Sequence, residues 1–196
     1  MSLIIGLTGP TGAGKTTVSK AAEDLGFKVI DCDKISRRVT EKGEKGLAAL
    51  VRAFGKEILC DDKSLNRKAL AAIAFASREK TELLNKTLLP IIVDEVKKEI
   101  NCCRVLLDAP TLYESGLDSI CDQTVAVLAD EILRKMRIIN RDGLSEAEAQ
   151  ARMNAGKPDE FYIKRTKNII YNNGNNPYED AEKLFKKILG GIKYEC

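Results

Sequence analysis

The sequence predicts an α/β fold in which a five-stranded parallel sheet carries helices on both faces. Three observations support this prediction. Short apolar runs alternate along the chain with longer segments of helical periodicity, a pattern typical of parallel sheets with helical connections. The first apolar run leads directly into a glycine-rich stretch and then a helical segment. The chain has 196 residues, which suits one domain, 1–196, with a modest insertion.

Each predicted strand is a short apolar run bounded by polar or turn residues. The five strands are expected, in chain order, in LIIGL, FKVIDCD, CCRVLLDAP, QTVAVLA and KNIIYNNG. The helices are expected in KTTVSKAAEDLG, KISRRVTEKGEKGLAALVRAFG, SLNRKALAAIAFAS, REKTELLNKTLLPIIVDEVKKEI, DEILRKMRIINRDG, SEAEAQARMNAG and NPYEDAEKLFKKIL, the second of these with breaks at its glycines. Pro90 should kink or divide the fourth helix, because proline lacks an N–H and clashes with the preceding turn. Ser145 and Glu148 have the spacing of a capping box at the start of the sixth.

Two helical regions interrupt the alternation of strands and helices. Residues from about 43 to 100 contain helical segments without a strand, and we expect them to form an inserted helical subdomain. Residues from about 130 to 158 contain two helices in series between the fourth and fifth strands, and we expect them to form a lid. Ligands should bind beyond the carboxyl ends of the parallel strands.

The glycine-rich stretch matches the phosphate-binding pattern G-x-x-x-x-G-K-[ST], with Gly9, Gly14, Lys15 and Thr16 at the defining positions. Glycines let the backbone wrap closely around phosphate oxygens, and successive N–H groups then bind the anion. Lys15 would reach the β- and γ-phosphates of ATP, and the Thr16 hydroxyl would coordinate Mg²⁺. The residues expected to contact ATP here are Thr11, Gly12, Ala13, Gly14, Lys15, Thr16 and Thr17.

Composition excludes several classes of function. The chain contains no histidine, so any general base must be a carboxylate, a lysine, a thiolate or a tyrosine. Its net charge of +3, without a long block of like charge, gives no reason to expect nucleic-acid binding. No apolar run approaches the ~20 residues that span a bilayer. We see no signal peptide and expect a cytoplasmic monomer, with all six cysteines as free thiols.

Two classes of protein share such a loop. A GTP-dependent switch needs N-K-x-D to recognise guanine, but the nearest candidate, Asn85-Lys86-Thr87-Leu88, lacks the aspartate. It also needs D-x-x-G, and no aspartate in this chain has a glycine three residues later. A small-molecule kinase instead needs a base, an acceptor site and mobile arginines, and this class is favoured.

The candidate base is Asp33. If the second strand continues to its end, Asp31 and Asp33 lie on the same face of it, because side chains alternate along a strand. A carboxylate at such a strand end can accept the proton of an attacking hydroxyl in phosphoryl transfer. The alternative is that either aspartate only caps the following helix.

Arg134, Arg137 and Arg141 have the spacing of one helix face in the predicted lid. Leu133, Met136 and Asn140 are expected next to them, towards the packed side. Closing the lid would bring guanidinium groups to the transferring phosphate, whose oxygens suit bidentate arginine contacts. Arg137 and Arg141 are the stronger catalytic candidates. An arginine stripe that is simply solvated is the alternative.

Several ordered motifs resemble the dephospho-CoA kinase family, whose members complete coenzyme A by phosphorylating the ribose 3′-hydroxyl of dephospho-CoA with ATP. They are GLTGPTGAGKTTVS, VIDCDKISRRV, FGKEIL, LNRKALAAIAF, LLNKTLLP, LLDAPTLYESGLD, RDGLSEAEAQARM and NNG. The resemblance implies a phosphate-loop kinase core with a helical substrate subdomain and a lid. It also implies Mg²⁺ with ATP, and ATP and dephospho-CoA as binding partners.

By matched position, the resemblance gives roles to further residues. Asp33 matches the family's base, and Arg37 and Arg141 its phosphate-facing arginines. Asp108 or Asp33 is implied to hold Mg²⁺ through its water shell, while Leu112 and Glu114 would lie at the acceptor cleft. The residues implied to flank the adenine of ATP are Asn172 and Gly174.

The chain departs from the family pattern at Leu89, Gly156, Thr166-Lys167 and Gly9-Pro10-Thr11. These changes leave the phosphate-binding residues intact and fall mainly near the acceptor site and the edges, so they bear on the acceptor more than on the reaction class. A kinase for a different nucleotide or small alcohol therefore stays open as an alternative. The third interpretation is a nucleotide-binding regulator without kinase activity.

Overall fold

A computed structural model describes residues 2–174 and 176–191. Over these residues the chain forms five strands and ten α-helices. The strands are β1 Leu3–Thr8, β2 Lys28–Asp31, β3 Arg104–Asp108, β4 Gln123–Leu128 and β5 Asn168–Tyr171. The helices are α1 Lys15–Asp24, α2 Cys32–Arg38, α3 Lys45–Phe54, α4 Arg67–Ala74, α5 Arg78–Glu99, α6 Leu112–Ser115, α7 Glu131–Asp142, α8 Glu146–Asn154, α9 Asp159–Ile163 and α10 Pro177–Gly190.

The chain divides into two compact units. The first contains residues 1–30, 102–112 and 121–196, and the second contains residues 31–101 and 113–120. Each unit is therefore assembled from separate stretches of sequence.

The sheet is the centre of the first unit and has the strand order β2-β3-β1-β4-β5. β1 pairs in parallel with β3 and β4, and β4 pairs in parallel with β5. Leu3, Ile5 and Leu7 of β1 are completely buried, as expected for the central strand of a sheet covered on both faces. The predicted five-stranded parallel α/β fold is confirmed.

Two helices pack together over one part of this core. α1 contributes Val18, Ala21 and Ala22 to a buried cluster that also contains Phe185 of α10. The rings of Phe27 and Phe185 lie 5.4 Å apart, centroid to centroid. α1 starts at the phosphate-binding motif, so this packing fixes the helix whose amino end faces any bound phosphate.

The second unit is helical, and between residues 43 and 100 the described structure contains helices and an isolated antiparallel bridge from Leu59 to Leu65. Its core combines residues of α3, α4 and the short 3-10 helix Lys56–Ile58, namely Leu50, Phe54, Ile58, Leu70 and Ala74. α5 runs from Arg78 to Glu99 with Pro90 inside it. Pro90 therefore does not divide this helix.

The cysteines only partly follow the expectation. Cys32, Cys60, Cys102 and Cys121 are free thiols, as predicted. Cys103 is disulfide-bonded, so the prediction was wrong for this residue, because spacing along the sequence does not reveal which thiols meet in the fold. Cys196 lies outside the described residues. Within the described ranges, every helix is too short or too polar to cross a membrane.

Candidate functional site

The glycine-rich loop between β1 and α1 has a backbone that only glycine adopts readily. Gly9, Gly12 and Gly14 have φ angles of 143°, 78° and 91°, values that L-residues with a Cβ avoid. Gly14 is the N-cap of α1 and lies in the left-handed region. The glycines of the motif are therefore required by the path of the chain before any ligand is considered.

The same glycines also allow close packing from outside the loop. A Cβ at Gly9 would lie 2.2 Å from the Val127 carbonyl oxygen, and one at Gly12 would lie 2.7 Å from the Arg134 carbonyl oxygen. A Cβ at Gly14 would lie 2.1 Å from Nδ2 of Asn172. Contacts this short do not occur with real side chains, so the loop is held tightly against β4, α7 and the end of β5.

Three consecutive carbonyl groups of the loop accept hydrogen bonds from these neighbours. Arg134 Nε donates to the Thr11 oxygen at 3.1 Å, Arg137 Nη1 to the Gly12 oxygen at 3.3 Å and Asn172 Nδ2 to the Ala13 oxygen at 2.9 Å. In a planar trans peptide the next N–H points opposite to the carbonyl. The Gly12 and Gly14 N–H groups are therefore directed to the other side of the loop, as an anion-binding nest requires.

Lys15 and the threonines occupy the first turn of α1. Lys15 Nζ donates to the Gly9 carbonyl oxygen at 3.2 Å, so its ammonium group folds back across the loop. Thr16 is exposed, and Thr17 is half-buried with its N–H bonded to the Gly14 oxygen at 3.2 Å. The positive end of α1 and the Lys15 ammonium therefore reinforce each other at this loop.

The oxygen donors near α1 suit a hard divalent cation such as Mg²⁺. Thr16 offers an exposed hydroxyl. Asp108 at the end of β3 accepts a hydrogen bond from Ser19 Oγ at 3.3 Å, which holds its carboxylate beside the same helix. The described residues contain no cluster of three or more histidine, cysteine or acidic side chains that could hold a metal. This fits Mg²⁺, which uses few protein ligands together with substrate phosphates.

The orientation of α7 corrects the sequence prediction. Met136 was expected towards the packed side, but it is 54% exposed, whereas Arg134 is only 7% exposed. The arginine face is the packed face because the loop carbonyls accept its guanidinium hydrogen bonds, an arrangement that periodicity cannot distinguish from a solvated charged stripe. Arg134, which the sequence prediction ranked below Arg137 and Arg141, thus contacts the loop directly, and its spacing from Arg137 was the available signal.

Arg141 lies at the far end of α7 and is exposed. Its Nε and Nη2 atoms each donate to the Asp142 carboxylate at 2.8 Å, and Arg152 Nη1 contacts the same carboxylate at 2.8 Å. The Arg141 hydrogen bond holds the pKa of Asp142 below its ordinary value. Of the predicted lid arginines, the structure brings Arg134 and Arg137 to the loop, and it pairs Arg141 with this neighbouring acid.

Asn172 is buried beneath the loop. Besides its bond to the Ala13 oxygen, its Oδ1 accepts from Arg137 Nη2 at 3.1 Å, and its N–H donates to the Leu128 oxygen at 2.8 Å. The side chain expected to flank adenine thus supports the loop in this structure. Gly174 is exposed and has a φ of 93°.

In the second unit, the two candidate aspartates occupy different positions. β2 ends at Asp31, and α2 begins at Cys32, so the prediction of a shared strand face was wrong. The strand stops because Asp31 Oδ1 accepts the Lys34 N–H at 3.0 Å and caps α2. Asp33 lies exposed in the first turn of α2, and Arg37 lies exposed in its last turn.

α2 is fixed to the helices of its own unit. Arg38 Nη2 lies 2.8 Å from Glu99 Oε1 and 3.6 Å from Glu95 Oε2 on α5. Arg67 Nη2 donates to the Thr40 hydroxyl at 3.0 Å, just beyond the end of α2. The helix that carries Asp33 and Arg37 is therefore anchored at its carboxyl end.

The two acceptor residues implied near β3 differ in environment. Leu112 is completely buried in the first unit, where it lies against Gly6 of β1. A packing role accounts for this leucine. Glu114 belongs to the second unit, and its main-chain oxygen accepts a hydrogen bond from Asn85 Nδ2. Its Oε2 atom is buried and has no hydrogen-bond partner among the described residues.

Comparison with known proteins gives a consistent result. The family model for dephospho-CoA kinase matches residues 3–177. A dephospho-CoA kinase of Corynebacterium efficiens is 39% identical, over 97% of this chain and 100% of the relative.

Solved structures agree with the sequence match. TT1252 from Thermus thermophilus has a TM-score of 0.77 at 30% identity, covering 98% of this chain and 99% of that one. A dephospho-CoA kinase from Campylobacter jejuni has a TM-score of 0.63 at 25% identity, covering 98% of this chain and 100% of that one.

Proposed function

This chain belongs to the dephospho-CoA kinase family, and we propose that it transfers the γ-phosphoryl group of ATP to the ribose 3′-hydroxyl of dephospho-CoA, giving coenzyme A. The observation that carries this proposal is the phosphate loop, in a chain that matches the family over residues 3–177. Its carbonyl groups are bonded outwards by Arg134, Arg137 and Asn172, which leaves amide groups directed to the opposite side.

Residues 11–17 bind the phosphates of ATP, and Lys15 neutralises charge on the transferring group. Preorganised donors of this kind stabilise the transition state because they need no rearrangement as charge develops. When bound with ATP, Mg²⁺ would supply further neutralisation of the charge on the phosphates. Thr16 would hold this ion, with Asp108 or Asp33 acting through water.

Asp33 orients the acceptor hydroxyl and accepts its proton. Support comes from α2 itself, because Asp31 already caps this helix and Asp33 is not needed for that purpose. Arg37 and Arg141 contact the phosphate groups, and Arg141 must leave Asp142 to do so. Asn172 and Gly174 flank the adenine of ATP, and Glu114 contacts the acceptor.

The helical stretch of about 43–100 binds the acceptor, and about 130–158 acts as the lid of one kinase domain spanning 1–196. The protein works as a monomer in the cytoplasm, where ATP is supplied. Light scattering coupled to size-exclusion chromatography measures the oligomeric state directly, and a dimer mass would contradict the monomer.

The test of function is ADP release from ATP and Mg²⁺, with and without dephospho-CoA. We expect release that depends on the acceptor, together with a phosphorylated product. Release only with a different nucleotide or alcohol would support the second candidate, a kinase with another acceptor, which the sequence departure at Leu89 favours. ATP binding without any acceptor-dependent release would indicate a regulator.

Lys15→Ala tests the loop in the same assay. Losing a preorganised electrostatic partner should cost about 3 kcal/mol or more in transition-state stabilisation, which is at least about a hundredfold in kcat/KM. Lys20→Ala is the matched control, because Lys20 lies on the same helix but pairs with Asp24 on the surface. Equal activity of the two variants would contradict the role given to Lys15.

A further inference from the structure

Arg134 is the most buried charged side chain among the described residues that contact the phosphate loop. Its side chain is 9% exposed. Nε donates to the Thr11 carbonyl oxygen at 3.1 Å, and Nη1 lies 3.3 Å from Asp159 Oδ1. One guanidinium group thus joins the loop to the first residue of α9.

The main chain of Arg134 is also in contact with the loop. A Cβ at Gly12 would lie 2.7 Å from the Arg134 carbonyl oxygen and 3.1 Å from its Cα. The loop is therefore supported at two successive residues, by the Arg134 side chain at Thr11 and by its backbone at Gly12. A change in the position of α7 at this residue would shift both.

Asp159 supplies the counter-charge that a buried guanidinium needs. Burial raises the pKa of Asp159, Arg134 lowers it, and the carboxylates of Glu160, Asp130 and Glu131 raise it further. Arg134 is thus the group that favours the ionised form of Asp159 in an otherwise acidic neighbourhood. Arg134 therefore favours the ionised carboxylate of Asp159, and Asp159 in turn holds the guanidinium group in place.

The pair borders a cavity of about 430 Å³, whose lining also includes Met153 and Lys157. The cavity leaves room at Asp159, so a substituted side chain of similar length fits without overpacking. Variants at these two positions can therefore report on the contacts themselves.

We propose that Arg134 is a positioning residue for ATP binding: it holds the Thr11 carbonyl outwards, and Asp159 holds Arg134 in place. Fixing this carbonyl fixes the peptide plane that carries the Gly12 N–H, one of the donors directed to the phosphate side. The inference rests on the proposed function only in taking ATP as the nucleotide of the loop.

The first experiment measures the Kd of Arg134→Gln for ATP and Mg²⁺ by isothermal titration calorimetry, and the KM values for ATP and dephospho-CoA. We expect the Kd and the KM for ATP to rise about tenfold, with the KM for dephospho-CoA changed less than about twofold, since lost polar positioning contacts act on the ligand they orient. The Kd of Arg134→Lys for ATP should lie between those of the wild type and Arg134→Gln, because lysine keeps the charge but lacks the planar set of guanidinium donors.

Lys135→Gln is the matched control. Lys135 is the next residue of α7 and pairs with Glu146 at 3.6 Å, away from the loop carbonyls. Its ATP affinity should equal that of the wild type. An unchanged ATP affinity in Arg134→Gln, or an equal rise in the KM for both substrates, would overturn the proposal.

A double-mutant cycle tests whether Asp159 acts through Arg134. Asp159→Asn should weaken ATP binding several-fold in the wild-type background and have no effect in the Arg134→Gln background, because coupled residues are not additive. Equal effects in both backgrounds would overturn the role of Asp159. If Arg134→Gln does not fold, the comparison of Arg134→Lys with Lys135→Gln decides: equal ATP affinities overturn the proposal.

The calorimetric measurement contains no acceptor. A wild-type protein that binds ATP but does not phosphorylate dephospho-CoA would contradict the proposed function, and the variants would still test Arg134.

Discussion

Replacing Gly14 by alanine tests how closely the loop is packed. Gly14 has φ 91° and ψ 35°, and an added Cβ would lie 2.1 Å from Asn172 Nδ2. Ordinary contact begins at 3.4 Å, so the two atoms must separate by about 1.3 Å. Asn172 is held on the other side by Arg137 and by the Leu128 oxygen, and it can move only by giving up its bond to the Ala13 oxygen.

The expected loss has two parts. A left-handed backbone costs an alanine about 1–2 kcal/mol. A buried amide that loses its partner costs about 1–3 kcal/mol more, so the sum is about 2–5 kcal/mol of unfolding free energy. Gly143→Ala is the matched control, because Gly143 belongs to the same unit and has a φ of 66° with no atom within 4 Å of an added Cβ. The Gly143→Ala variant should lose only the backbone contribution of about 1–2 kcal/mol in unfolding free energy.

The assay is thermal unfolding of both variants under identical conditions. At about 2–4 °C per kcal/mol for a chain of this size, Gly14→Ala should melt about 2–12 °C below Gly143→Ala. In an Asn172→Ala background the clash is absent, and the additional loss should disappear. Equal melting temperatures of Gly14→Ala and Gly143→Ala, or a loss that persists without Asn172, would refute the packing argument.

Three further results are expected. Asp33→Asn should lower kcat about 10²- to 10⁴-fold, which is the usual contribution of a general base. Its ATP affinity, measured by calorimetry, should be unchanged. Retention of most activity would show that Asp33 is not the base. Ser145→Ala removes the capping box that Ser145 and Glu148 form on α8. The free energy of unfolding in urea should fall by about 1 kcal/mol. An unchanged unfolding midpoint would mean that α8 does not unfold together with the rest of the protein. Burial raises the pKa of Asp159 in the folded state, so protonation of this carboxyl favours folding. The melting temperature of the wild type relative to Asp159→Asn should therefore fall as pH rises from the ordinary carboxyl pKa through the raised value. A difference in melting temperature that is independent of pH would contradict this.

The sheet could be predicted because its signals are local. Leu3, Ile5 and Leu7 form a short apolar run beside a phosphate-binding motif, and burial on both faces requires such a run. α6 and α9 were not predicted, since Leu112–Ser115 and Asp159–Ile163 are too short to show helical periodicity. The end of β2 was misplaced because Cys32 continues the apolar pattern of Val29 and Ile30 in sequence, whereas in the structure Asp31 already caps α2.

The site was predicted where one motif specifies it and missed where it depends on distant partners. The positive φ angles of Gly9 and Gly14 follow from the motif. The contacts of Arg134 with Thr11 and of Asn172 with Ala13 join residues 123 and 159 positions apart, and no local pattern indicates them. The same holds for Leu112, whose burial against Gly6 depends on how the chain returns to β1.

The discontinuous makeup of the helical unit matters for anyone who wishes to exchange it between relatives. The chain passes from one unit to the other after residues 30, 101, 112 and 120. A chimaera that receives only residues 31–101 from the donor would keep residues 113–120, the other segment of the same unit, from the recipient. Both pieces must be transplanted together, with Asn85 and Glu114 from the same parent, so that the hydrogen bond between them survives.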